Sequence, residues 1–125
     1  MSNKFYICQT CGNIIGMIES SGVGIVCCGK KMTQLEPGVV EASHEKHIPS
    51  VTVEGDCVSV AVGSVIHPMT EEHHISWIYL ETDKGGQRKV LTPTEEPVVK
   101  FKLADEKPVA VYAYCNLHGL WKKEI

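Results

Sequence analysis

Four of the six cysteines in this 125-residue chain fall near its start, at Cys8, Cys11, Cys27 and Cys28. The stretch around them, residues 1–36, holds only short apolar pieces, Phe5-Tyr6-Ile7, Ile14-Ile15-Gly16-Met17-Ile18 and Gly24-Ile25-Val26. A segment that small does not close a hydrophobic core without a metal, disulfides or a partner subunit. Cys8-Gln9-Thr10-Cys11-Gly12 has the two-residue gap that turns a chain and brings both sulfurs to one ion, with glycine easing the turn. Cys27-Cys28-Gly29 supplies the other pair. Neighbouring side chains in an extended strand point to opposite faces. Two adjacent cysteines therefore share an ion only if the backbone folds sharply between them, which predicts a distorted tetrathiolate. Tetrahedral sulfur sites suit both iron and zinc, and the spacing leaves that choice open. A vicinal Cys27–Cys28 disulfide would leave Cys8 and Cys11 without a role.

The composition shifts between Met32 and Ala42, where Thr33-Gln34-Leu35-Glu36-Pro37-Gly38 reads as turn and linker. Beyond it the chain is a series of short segments rich in β-branched and aromatic residues. They are Val51–Val53, Val58–Val62, Ile75–Leu80, Arg88–Leu91, Val98–Leu103 and Val109–Tyr114. Turn signals separate them, at Glu54-Gly55-Asp56, Asp83-Lys84-Gly85-Gly86, Thr92-Pro93-Thr94 and Glu106-Lys107-Pro108. No segment keeps helical periodicity for three turns. These features predict an all-β protein, with a small metal-clipped module over 1–36, a linker over 37–42 and an immunoglobulin-like antiparallel β-sandwich over 43–125.

The second module carries its own set of donors. His47 precedes the first of its strands, His67 and His73 flank a connection between two strands, and Cys115 and His118 follow the last long segment. All five are expected on loops, where a rigid sandwich keeps its chemistry. Zinc ordinarily takes four ligands. Four imidazoles with one thiolate instead make a five-coordinate, roughly square-pyramidal set with one open face, which suits a redox-active iron. His74 is expected to be structural or solvent-facing, Cys57 to be a buried small hydrophobe, and Trp77 and Trp121 to be core residues.

A formal charge of −3 gives no basic excess to displace counterions from a nucleic-acid backbone. No apolar run approaches the roughly 20 residues needed to span a bilayer. Met1-Ser2-Asn3-Lys4 leads directly into a strand-like run with no signal-peptide core, so a cytoplasmic location is expected. In a reducing compartment six cysteines point to metal or redox chemistry rather than to a disulfide framework.

Taken together, Cys8-x-x-Cys11 with Cys27-Cys28, Glu45-Lys46-His47-x-Pro49, His67-Pro68-Met69 with His73, and Cys115-Asn116-x-His118-Gly119 resemble the desulfoferrodoxin family, the two-iron class of superoxide reductases. The resemblance spans nearly the whole chain. It implies a desulforedoxin-like amino-terminal domain, a neelaredoxin-like catalytic domain, a homodimer, and iron at both sites. By the same resemblance His47, His67, His73 and His118 are equatorial ligands and Cys115 is the axial one. Superoxide is then reduced to hydrogen peroxide without oxygen evolution, with electrons from a rubredoxin-like donor. Lys46 is the residue expected to attract the anion and position a proton-donating water, and Glu45 is the expected sixth ligand once product has left. On the residues alone, Glu45-Lys46 would be an ordinary solvated pair.

Two other readings stand beside this one. A zinc ribbon joined to an immunoglobulin-like binding module would make Cys115 and the histidines incidental. An iron superoxide dismutase would use the same donors but return half of the superoxide as oxygen.

Overall fold

The computed structural model describes residues 4–125, in which strands are the main regular structure and a single short helical turn is the other. The chain divides into two compact units, Met1–Glu36 and Pro37–Ile125.

In the first unit β1 (Lys4–Ile7) is the middle strand, with β2 (Ile14–Met17) antiparallel on one side and β5 (Thr33–Gln34) antiparallel on the other. Thr33-Gln34, expected as turn and linker, is thus a short edge strand, with Tyr6 opposite Gln34 and Ile7 opposite Thr33. A two-residue strand carries no alternation to detect. β3 (Val26–Cys27) and β4 (Lys30–Lys31) form a hairpin closed by Cys28-Gly29. Both closing residues have positive φ, 53° and 74°, as in the primed turns that match the twist of paired strands. The sharp fold expected between adjacent cysteines is therefore a hairpin turn. Among the described residues of this unit only Phe5, Cys8 and Met32 are buried. Three side chains are too small a core to hold the unit on their own.

The second unit is a sandwich of two antiparallel sheets. A single helical turn, α1 (His44–His47), leads into β6 (Pro49–Glu54), which pairs with β7 (Cys57–Val62). β8 (Ile75–Thr82), β9 (Gly85–Val90), β10 (Val98–Lys102), β11 (Pro108–Cys115) and β12 (Gly119–Glu124) follow. One sheet has the order β10-β7-β6 and the other β12-β11-β8-β9. Their facing sides supply the core: Val58, Val60 and Val62 of β7, Ile75, Ile78 and Leu80 of β8, Phe101 of β10, and Val111, Ala113 and Cys115 of β11. β7 shows why the alternation was legible, since every second side chain is buried and the intervening ones are half-exposed. Three connections cross between the sheets, as the seven-strand immunoglobulin-like arrangement requires.

Several expectations are corrected here. Gly119–Glu124 is a full strand paired with β11, although its sequence buries the adjacent Leu120 and Trp121 and then turns charged, which hides the period of two. Trp77 is only half-buried, stacked on Tyr114 at 5.6 Å and 7°, whereas Trp121 is fully buried. Cys57 is half-buried, with Sγ 4.0 Å from Ser59 Oγ, and is not part of the core. The described residues contain no helix long and apolar enough to cross a membrane.

Candidate metal centres

In the first unit the Sγ atoms of Cys8, Cys11, Cys27 and Cys28 all lie within 4.8 Å of one another. The closest recorded pair, Cys11 and Cys27, is 3.6 Å apart, and all four cysteines are free thiols. The first knuckle is shaped by two backbone bonds, Gly12 N–H to Cys8 O at 2.8 Å and Cys8 N–H to Asn13 O at 2.9 Å. Gly12 adopts φ 82°, a conformation costly to a residue with a side chain. The backbone N–H groups of Cys11 and Thr10 draw the Cys8 thiol down to about 6, favouring its thiolate. Cys28 is pushed up to about 12, because its thiol bonds to Cys11, Cys8 and Cys27 and further negative charge there is unfavourable. Four sulfurs so close lose their last protons readily only when a cation takes their place. The donor set fits a tetrahedral metal.

The second cluster is assembled from three separated parts of the sandwich. Its first member, His47, closes α1, where Ile48 N–H bonds to His44 O at 2.9 Å. The turn packs against the connection after β7: Val65 N–H and Ser64 Oγ–H both donate to Glu45 O, at 2.9 and 3.2 Å. Gly63 permits this approach, since a Cβ there would lie 2.6 Å from Glu45 O and 2.7 Å from Ile48 O. The same connection, between β7 and β8, carries His67 and His73. The tight turn between β11 and β12 carries the rest: Cys115 is the last residue of β11, paired with Gly119, and His118 lies between them. Thus His47 and Cys115 are at element ends rather than on loops. An apolar strand end buries Cys115 completely.

The ring geometry is that of a four-sided site. Going round, His47–His67, His67–His73, His73–His118 and His118–His47 have centroids 4.6, 4.5, 5.0 and 4.9 Å apart. Every neighbouring pair is edge to face, while His47 and His73 stand across the square at 6.3 Å. His47 Nδ1–H donates to Ser43 O and His67 Nδ1–H donates to Pro68 O, each at 2.7 Å. With those protons committed, the two Nε2 atoms present lone pairs to each other at 3.1 Å. His118 Nδ1 is also 3.1 Å from His47 Nε2, and Cys115 Sγ is 4.0 Å from His118 Nδ1. His73 Nε2 is buried with no hydrogen-bond partner. Facing lone pairs and an orphaned buried nitrogen are costly unless a cation lies between them. The acceptors of Nδ1 protons are those that commonly orient metal-bound imidazoles.

Burial pushes His47, His67 and His73 below the usual imidazole range, His67 to about 4, so the rings are neutral donors at pH 7. Burial pushes the Cys115 thiol up, and a bound cation would be what deprotonates it. Outside the cluster, Glu45 and Lys46 are exposed on α1. The Lys46 charge adds to the fall in pKa of both His47 and His73, so it acts on the same ring set. Glu45 instead lines a surface depression with His44, Ser64 and Lys123, which contains none of the five donors. His74 lies outside the set, its Nδ1 bonded to Thr70 O at 2.9 Å.

Two residues that sequence reasoning did not assign to the site support it. Trp121 packs on His47 and donates Nε1–H to His118 O at 3.0 Å. Asn116, quoted above only as part of a motif, reaches across to the His73 turn. Their signal was proximity to Cys115 and His118 in sequence, which says nothing of contacts.

Known proteins match over both units. The family model for the desulfoferrodoxin N-terminal domain matches residues 2–35, and that for desulfoferrodoxin matches residues 39–124. A desulfoferrodoxin from Syntrophotalea carbinolica is 43% identical, covering 97% of this chain and 95% of that one. A desulfoferrodoxin homolog from Archaeoglobus fulgidus is 42% identical over 95% and 94% of the two chains. Among solved structures, the superoxide reductase from Treponema pallidum superimposes with a TM-score of 0.83 at 39% identity, covering 99% of this chain and 100% of that one. With two donor clusters in two units, each matched by its own family model, the chain belongs to the desulfoferrodoxin family.

Proposed function

We propose that the chain is a superoxide reductase, converting superoxide to hydrogen peroxide with one electron and two protons, and that both of its metals are iron. The observation that carries this reading is the square of four imidazoles with a buried thiol beside it. Relatives and structures named superoxide reductase support it. Iron held by His47, His67, His73, His118 and Cys115 would supply the electron, replenished from a donor of rubredoxin type.

The chain's own residues supply the rest. His47, His67 and His73 present Nε2 as neutral donors, and His118 turns Nδ1 toward the same ring set. The Cys115 thiolate is the one anionic donor, and it leaves the site with a net positive charge that attracts a small anion. Bound there, the Cys115 thiolate would raise electron density at the metal. Lys46, exposed beside His47, concentrates superoxide at the site and positions a proton-donating water. Glu45, on the same helical turn, lines the neighbouring depression here, and its carboxylate would have to turn toward the donors to cap the site after product leaves.

The tetracysteine site serves as a clip for a unit in which three of the described residues are buried. Full turnover with a rubredoxin-type donor in a Cys27→Ser, Cys28→Ser chain would rule out a relay role. The enzyme is expected to be a cytoplasmic homodimer.

The test is stoichiometry under a superoxide flux with electron donor present. One hydrogen peroxide per superoxide and no oxygen supports the reductase. One peroxide and one oxygen per two superoxides would make the chain a dismutase.

A further inference from the structure

The turn carrying His73 is braced from within. Thr70 Oγ1 accepts His73 N–H at 3.1 Å and lies 3.2 Å from His73 O, while Thr70 N–H donates to His73 O at 2.9 Å. His74 Nδ1–H closes the same turn onto Thr70 O. These bonds keep the turn's shape. They do not fix its place relative to the other donors.

Asn116 does so. Its Oδ1 accepts His74 N–H at 2.8 Å, its Nδ2–H donates to Glu72 O at 3.0 Å, and its backbone N–H donates to His74 O at 3.1 Å. Three bonds therefore grip the residues on either side of His73, from a position directly after Cys115 and two before His118. Asparagine often bonds backbone within its own turn. Here the side-chain partners are 42 and 44 residues away, so the amide joins two donor-bearing segments rather than capping one. The need is plain at His73. His47 and His67 are each oriented by an Nδ1–H bond to a carbonyl, whereas among the described residues His73 has no such bond and depends on where its backbone is held.

We propose that Asn116 is a positioning residue for His73, and through it a determinant of which metal the second site takes. This rests on the metal reading of the cluster. With the amide in place the site keeps five donors. When the mooring is lost, His73 moves away and leaves His47, His67, His118 and Cys115, three imidazoles and one thiolate. Four donors, three nitrogens and one sulfur, match the ligand number and types that zinc accepts readily.

The test compares the full chain with Asn116→Ala and with Asn116→Asp, which keeps the acceptor for His74 N–H but sets an oxygen against the Glu72 carbonyl. Each is loaded with iron, then challenged with a chelator and, separately, with equimolar zinc. The tetracysteine iron of the same chain is the internal reference, and the electron paramagnetic resonance signal of the oxidised second iron reports its donor set. Asn116→Ala should hold iron at the second site about 10- to 100-fold less tightly, the usual effect of removing a group that orients a ligand. It should also show an altered resonance signal, favour zinc in competition, and leave the first site unchanged, with Asn116→Asp in between. A native signal and native iron preference in either folded variant overturns the proposal, even if its melting temperature falls, because that would make Asn116 purely structural. If the unsubstituted chain binds no metal at the second site, the reading of the cluster itself falls, and the proposal with it.

Discussion

The indole of Trp121 lies 5.0 Å from the His47 ring and donates its N–H to the carbonyl of His118, 3.0 Å away. One fully buried side chain thus supports two members of the donor square, and the exposed His44 ring also meets it, edge to face at 5.4 Å. Trp121→Ala should cost about 3 to 5 kcal/mol in urea denaturation, as large-to-small changes in cores do. Trp121→Phe keeps most of the packing but leaves the His118 carbonyl without its donor, at about 1 to 3 kcal/mol. In both variants a chelator should extract the second metal faster than from the parent, while the first metal leaves at the parental rate. Equal extraction rates would show that Trp121 is core packing and no more.

Gly63 is the point at which the β7–β8 connection meets α1. Its missing Cβ would stand 2.6 Å from Glu45 O, and both neighbours are backbone atoms that cannot swing aside. Gly63→Ala is expected to destabilise the chain by about 1 to 3 kcal/mol or more and to displace the helical turn that carries His47. Thermal melting together with iron content of the second site checks this. A stable alanine variant with full iron would mean that the contact relaxes at no cost to the site.

Acid should weaken the metal-free protein through its buried imidazoles. His67 titrates at about 4 in the folded chain and near its ordinary 6.5 when unfolded, and His47 and His73 are shifted in the same direction, all mainly by burial. Between those values the unfolded chain binds more protons than the folded one, so stability falls as pH drops from 6.5 towards 4. Urea midpoints of the metal-free protein measured across that window should decline, and His67→Gln should flatten the decline. A midpoint independent of pH from 7 to 4.5 would contradict the neutral, buried imidazoles.

Lys46 is exposed, yet its charge reaches His47 and His73. If it steers superoxide, Lys46→Ala should lower the second-order rate constant about 10-fold at low salt and flatten its dependence on ionic strength. Stopped-flow or pulse-radiolysis rates over a salt series decide the matter. An unchanged rate and slope removes Lys46 from the mechanism.

How much of this was legible in the sequence differs from part to part. Val58, Val60 and Val62 alternate with half-exposed neighbours, and β8 and β11, which bury consecutive residues, are rich in β-branched and aromatic side chains, so an all-β sandwich was visible. β12 was not, because Leu120 and Trp121 are buried in succession against the strand's period. The Cys8, Cys11, Cys27 and Cys28 cluster is local and announced itself by spacing, down to the sharp turn at Cys28. The second cluster is not local. His47, His67 and Cys115 come from a helical turn, a connection between sheets and a strand end, and only the tertiary fold brings them together. Residue types and motif order nominated the donors. The groups that aim them, Ser43 O, Pro68 O, Asn116 and Trp121, act through backbone and packing contacts that leave no pattern in the sequence.

The central claim is that one chain holds two irons, one among four thiolates and one among four imidazoles and a thiolate. Metal analysis of iron and zinc per chain, on protein produced with iron available, tests it most directly. Two irons per chain, one of them lost in Cys115→Ser, is the result predicted. One zinc and no iron would contradict the account and leave a zinc-ribbon module joined to a binding domain.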